Sequence, residues 1–187
     1  TETAGDERSD LERAFIAHQA RVFRAAYRIT GNAEDARDVQ QQVFRAQIRL
    51  ARELDVPVVI HTREADADTV AILEEEGGGS LRGVLHCFTG DKALARAGLD
   101  LGFYISLAGI ITFPKAGELR DTARTVPPDR LLVETDSPYL APMPHRGKRD
   151  EPAYVARVVA ALAELHGIEA GEMARITAAN FHTLFRP

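Results

Sequence analysis

Four short, almost wholly apolar runs govern what this chain can fold into: VPVVIH (56–61), GVLH (83–86), LGFYIS (101–106) and LLVETD (131–136). Runs of this length, without polar alternation, read as strands covered on both faces. Helical stretches separate them at about 64–76, 91–98 and 115–125, and two more follow near 151–166 and 169–185. Gly77-Gly78-Gly79 and Pro127-Pro128 punctuate the joins. Strand alternating with helix implies parallel βαβ units joined by right-handed crossovers. Four units are visible, and 187 residues fall short of the roughly 200 or more that a closed (β/α)8 barrel takes. The expected fold class is therefore α/β, a partial (half) TIM barrel of about four βα units with parallel strands.

The first quarter of the chain has a different period. Leu11, Phe15, His18, Val22, Ala25 and Ile29 recur at helical spacing behind Ser9, a candidate cap. Gly31-Asn32 interrupts them, and Asn32 is placed to cap a second helix with Glu34 and Asp35 in its first turn. Ala36, Val39, Val43, Ala46, Leu50 and Leu54 form that helix's apolar stripe. The expected organisation is an N-terminal helical hairpin over 1–44, followed by the α/β part over 45–187.

Composition narrows the function classes. With 45% hydrophobic and 27% charged residues, a core can be buried and wholesale disorder is not expected. No run approaches the ~20 apolar residues of a membrane span, and no signal-peptide pattern opens the chain. A single cysteine, Cys87, excludes an internal disulfide framework and fits a reducing, cytoplasmic setting. A net charge of −5 argues against a general nucleic-acid coat, so any phosphate recognition has to be local.

The expected strands at 56–61, 83–86 and 131–136 finish on His61, His86 and Asp136. Residues at a common strand edge converge in space, and that edge is where barrels keep their chemistry. Two imidazoles and a carboxylate suit a divalent cation such as Zn²⁺ or Mn²⁺, which can lower the pKa of bound water and polarise a phosphoryl oxygen. The competing reading makes each His a satisfied interior residue and Asp136 a cap of the next turn. PMPHRGKR (142–149) is the one concentrated basic loop; its guanidinium groups suit phosphate, or simply water. Arg63 has a similar choice between substrate contact and ordinary ion pairing. Cys87 follows a strand-end His without a CxxC or a matching acid, so an inert buried thiol is expected. His18, His166 and His182 read as packing or surface residues, and Glu74-Glu75-Glu76 as a solvated helix end.

From about Val39 onward the words VPVVIHTREA (56–65), LHCFTG (85–90), LLVETDSPYLAPMPHRGKRDEP (131–152) and TAANFHTLF (177–185) closely resemble the C-terminal half of the TatD family of metal-dependent deoxyribonucleases. The resemblance implies a TIM-barrel, amidohydrolase-like fold and hydrolysis of DNA phosphodiester bonds, often from a 3′ end. It implies a divalent metal ion (Zn, Mn or Mg) held by His61, His86 and Asp136, with Asp136 also the water-activating catalytic base. His145 and Arg146 are implied near the substrate phosphates, and Arg63 joins them as a candidate substrate contact. Asp150 stands where the family usually has Asn. The family's His-x-His pair and its GEIGLD-like Glu motif do not occur in these residues, so an impaired hydrolase is expected.

Residues 11–44 (LERAFIAHQARVFRAAYRITGNAEDARDVQQQVF) resemble the opening of sigma-factor region two, above all in the extracytoplasmic-function group. The two resemblances overlap across VQQQVF (39–44), which implies a chimera joined inside a shared helix pattern. The second reading is therefore a binding module whose sigma-like helices dock on the RNA polymerase core beside a silent α/β part. Direct promoter reading is not expected, because residues 1–44 carry 8 acidic and 6 basic side chains. A half barrel leaves two strand edges and an apolar inner face open, so a homodimer closing a pseudo-barrel is expected.

Overall fold

Val58–Ile60 (β1), Gly83–Leu85 (β2), Tyr104–Leu107 (β3) and Leu131–Val133 (β4) form one parallel sheet in the order β1-β2-β3-β4. Strands laid down in sequence order, each one step along, are the arrangement of a barrel wall rather than of a doubly wound sheet with its reversal. The computed structural model describes residues 27–29 and 31–186. The chain divides into two units, Thr1–Leu50 and Ala51–Pro187, and the sheet lies wholly in the second.

The strands are shorter than the apolar runs, for local reasons. Pro57 has no N–H to give, so the ladder begins with the Val58 N–H donating to the Arg82 carbonyl at 2.9 Å. Leu101 and Gly102 still donate to Ala97 and Leu99; they finish the preceding helix, and β3 starts at Tyr104. After Val133 a single bond, Glu134 N–H to the Leu107 carbonyl at 3.1 Å, carries the ladder one residue further.

Helices Asp66–Gly77 (α2), Lys92–Asp100 (α3) and Gly117–Ala123 (α4) follow the first three strands, and Val155–His166 (α5) and Ala170–Phe185 (α6) follow the fourth. Asp91 caps α3, its carboxylate accepting the Leu94 N–H at 2.9 Å. The pairing register puts Ile60, Leu85, Ile105 and Leu107 on one face of the sheet, and all four are buried. There α3 comes so close that a Cβ on Gly98 would stand 2.9 Å from Leu85 Cδ1. Glu76 departs from the expected solvated helix end: it is buried, and its carbonyl accepts from Arg52 Nη1 at 2.7 Å.

The opposite face is covered, which corrects the open inner face expected of a half barrel. Val84, Tyr104 and Leu132 form a cluster with Leu184 and Phe185 of α6. Asn180 Nδ2 donates to the carbonyls of Pro128 and Leu131 at 2.9 and 2.7 Å, and Arg82 Nη1 donates to the Leu184 carbonyl at 2.8 Å. These bonds anchor α6 beside the starts of β2 and β4. Val59, by contrast, is 60% exposed. Among the described residues, β1 and β4 each pair on one side only.

In the first unit, helix α1 (Ala33–Glu53) begins where Asn32 predicts. Asn32 Oδ1 accepts the Asp35 N–H at 2.8 Å and its Nδ2 donates to Asp35 Oδ2 at 2.6 Å. The division at Leu50 falls inside this helix. The earlier arm expected for the hairpin, with Ser9, Leu11, Phe15, His18, Val22 and Ala25, lies outside the described residues; only its end, 27–29, is seen as helix. Among the described residues no helix is long and apolar enough to cross a membrane.

Candidate metal centre and basic loop

His61, His86 and Glu134 are each the first residue beyond a strand, after β1, β2 and β4. Side chains alternate along a strand, so the register that aligns Val59 with Val84, Val84 with Tyr104 and Ser106 with Leu132 places His61, His86, Ser106 and Glu134 on the α6 side at the C-terminal edge. Asp136 follows two residues after Glu134. The expectation that strands end on His61, His86 and Asp136 is thus corrected: Glu134 holds the position equivalent to the two histidines, and Asp136 lies on the loop beyond.

Glu134 organises this edge. Its Oε1 lies 2.8 Å from His86 Nδ1 and accepts the Cys87 N–H at 2.9 Å. Its Oε2 accepts the Ser106 hydroxyl at 2.5 Å. With Nδ1 turned to Glu134, His86 directs Nε2 towards Asp136, whose Oδ1 is 3.9 Å away. The His61 and His86 ring centroids are 5.7 Å apart, tilted by 54°.

The charges follow from these contacts. The hydrogen bond to Glu134 holds the His86 imidazole above its ordinary pKa, against the pull of burial. Burial alone would raise the Glu134 carboxyl, but bonds from His86, Ser106 and the Cys87 N–H hold it below the usual range. Burial, together with the neighbouring Glu134 charge, pushes Asp136 up against the opposing pull of His86. His61 is lowered by burial, then by His86 and Arg63, the direction that favours the neutral imidazole a metal requires. The Cys87 thiol, buried beside two carboxylates, is pushed up to about 12; it is inert, as expected.

The donor set suits a divalent cation. A ligating His whose other nitrogen is bonded to a carboxylate has its tautomer and orientation fixed, and His86 with Glu134 has that form. Two ligands at about 2.0–2.2 Å from one tetrahedral ion stand roughly 3.4 Å apart, so the His86–Asp136 gap needs to close by only a few tenths of an ångström. As they lie, no three His, Cys, Asp or Glu side chains among the described residues enclose an ion.

The basic loop is built differently. His145 stacks on Tyr154 with centroids 4.1 Å apart and planes 5° from parallel. The Arg146 guanidinium carbon lies 4.6 Å from the Phe113 centroid. Met143 N–H donates to Thr112 Oγ1 at 2.8 Å, and His145 and Lys148 N–H close turns onto Pro142 and His145 carbonyls. Arg146, Lys148 and Arg149 are exposed, Asp150 is buried. The structure therefore brings His86 and Asp136 together with His61 alongside, and leaves His145 and Arg146 on aromatic rings. Arg63 is exposed on the loop after β1 and is felt electrostatically at His61. Beneath the strand ends a groove of about 480 Å³ runs between sheet and α6, lined by Val59, Val84, His86, Ser106, Phe181 and Phe185 among others.

Sequence reasoning passed over Glu134, Ser106 and Phe113. For Glu134 a signal existed: like His61 and His86, it is the first polar side chain after an apolar run. Nothing local distinguished the other two. His166 is half-buried, its pKa lowered by burial, and its Nε2 has no hydrogen-bond partner among the described residues.

The chain is similar to known proteins throughout this region. The family described as TatD related DNase matches residues 27–186. The uncharacterized metal-dependent hydrolase YcfH of Escherichia coli K12 is 57% identical over 146 residues, covering 78% of this chain and 55% of that protein. The 3′-5′ ssDNA/RNA exonuclease TatD of Citrobacter koseri is 39% identical over 151 residues, 78% of this chain and 58% of its own length. The crystal structure of YJJV, a TatD homolog from E. coli K12, superposes with a TM-score of 0.76 at 31% identity over 83% of this chain and 60% of that one. The chain thus spans little more than half the length of the curated relatives it matches. The family match includes 27–44, the greater part of the second arm in the sigma-like stretch, and none of these likenesses supports a sigma-factor origin; 1–26 lie outside the described residues.

Proposed function

We infer the reaction from one premise: the chain belongs to the TatD related DNase family. Its function is metal-dependent hydrolysis of phosphodiester bonds in DNA. The observation that carries this reading is the pairing of His86 Nδ1 with Glu134 at 2.8 Å while Nε2 faces Asp136, the arrangement of a ligating imidazole held by an outer carboxylate. The relatives are named metal-dependent hydrolases and, in one case, a single-strand exonuclease, which supports both the cofactor and the substrate class.

His61, His86 and Asp136 would hold the ion, and a bound divalent cation would supply an acidified water and a polarised phosphoryl oxygen. The chain's own residues do the rest. Glu134 fixes the His86 ring, and Ser106 fixes Glu134. Asp136, whose carboxyl burial makes more basic than usual, would accept the proton of an attacking water at Oδ2, leaving Oδ1, which faces His86, to the ion. Arg63, His145 and Arg146 neutralise and orient phosphates. The unpaired edges of β1 and β4 and the exposed Val59 and Phe181 support self-association into a homodimer. A single, buried thiol supports a reducing compartment. Docking of α1 on RNA polymerase is not favoured, since 27–44 fall within the family's own pattern.

The test is elemental analysis of the purified protein beside cleavage of a single-stranded oligonucleotide, for wild type, His61→Ala and Asp136→Ala. Metal and cleavage are expected in wild type and lost in both variants. Equal metal and equal cleavage in all three would sink the reading.

A further inference from the structure

We propose that the turn after β3, residues 109–114, aims Arg146 at the sugar–phosphate backbone of a nucleic acid, with Phe113 as the positioning residue. The proposal rests on the nucleic-acid substrate argued above. Arg146 is exposed on a loop, where a long cationic side chain ordinarily has many rotamers to lose on binding. Its guanidinium lies over the Phe113 ring at 4.6 Å. A guanidinium whose flat face rests on a ring keeps its in-plane N–H donors free, and that edge is the one that grips phosphate oxygens bidentately. The ring and the phosphate therefore use different parts of one group, and the first prepares it for the second.

Phe113 can do this because its turn is fastened from two sides. Arg120 of α4 donates to the carbonyls of Ile111 at 3.1 Å, Phe113 at 2.7 Å and Pro114 at 3.2 Å. Thr112 Oγ1 accepts the Met143 N–H of the basic loop. Gly109 lies so close to the loop that a Cβ there would stand 1.9 Å from the Leu140 carbonyl oxygen. Turn and loop thus move as one body, with Lys148 and Arg149 exposed on the same loop. In a chain of net charge −5, this is where a polyanion finds a local cationic footing.

The experiment is fluorescence anisotropy of a labelled single-stranded DNA oligonucleotide against wild type and four single variants, Phe113→Leu, Phe113→Tyr, Arg146→Lys and Arg146→Ala, plus the Phe113→Leu/Arg146→Ala double. Phe113→Leu and Arg146→Lys are expected to weaken binding about two- to fivefold, the worth of an exposed cation–π contact, while Phe113→Tyr binds as wild type. Arg146→Ala should also lower the log–log salt slope by about 1, and Phe113→Leu should add nothing in the Arg146→Ala background. Arg146→Lys, on an exposed loop, keeps the test valid if Phe113→Leu fails to fold. Wild-type affinity in both Phe113→Leu and Arg146→Lys, or a further loss in the double variant, overturns the proposal. A wild-type chain that takes up metal but binds no oligonucleotide overturns this proposal alone; one that does neither overturns the hydrolase reading with it.

Discussion

The strand-end cluster and the basic loop hold their functional side chains by opposite means. His61, His86 and Glu134 sit one residue past strands whose backbone ladder sets their height and direction; their placement follows from the period of the sheet. His145 and Arg146 sit on irregular backbone and are placed by rings at Tyr154 and Phe113. The difference teaches where each can be perturbed. A cluster fixed by main-chain bonds tolerates changes around it and is sensitive at the ligating atoms. A loop fixed by side-chain packing can be disabled from a distance.

The strand-end cluster should respond most strongly. Asp136→Ala should lower metal affinity, read by competition with a chelating dye, by more than about 100-fold, beyond the 10–100-fold typical of an outer partner. A drop that small or smaller would show that Asp136 is not a ligand. Glu134→Gln should cost roughly 10–100-fold in the same assay while leaving the far-ultraviolet circular dichroism unchanged. If metal affinity is untouched, Glu134 is a structural acceptor for Cys87 and Ser106 and nothing more. On the loop side, Gly109→Ala should destabilise the fold by about 1–3 kcal/mol in urea titration, because the obstructing atom is main chain, and should weaken oligonucleotide binding with it. Unchanged stability would mean that turn and loop are not fastened together.

The smallest effect is a pH dependence. His86 is raised above its ordinary 6.5, so its contribution is fully present below 6.5 and lost as pH rises through its folded value. Glu134 is lowered below its ordinary 4.5, so its contribution is present above 4.5 and lost as pH falls through its folded value. The pair therefore stabilises the metal-free protein most between about pH 4.5 and 6.5, and the difference in urea midpoint between wild type and Glu134→Gln should peak there. A difference that is flat across this window would show that the two groups are not coupled.

The same contrast explains what was legible in the sequence. The four apolar runs gave strand number, order and direction, because in an α/β fold period and burial are local properties of the chain. Their ends were less legible: Pro57 lacks a donor and Leu101-Gly102 complete a helix, and both effects depend on hydrogen bonds that hydropathy does not record. His61 and His86 could be found by position and chemistry. Glu134 could have been found by the same rule, but a glutamate within LLVETD reads as part of the strand. Ser106 and Phe113 could not, since their roles come from partners 28 and 33 residues away. Nor does any pattern in TAANFHTLF announce that its helix lies across the sheet face opposite α3.

That last placement ties the tail of the chain to its chemistry. Phe181 and Phe185 of α6 line the same groove as His86 and Ser106. The same helix carries Leu184 into the cluster of Val84, Tyr104 and Leu132, so one element both covers this face of the sheet and lines the space beside the candidate ligand His86.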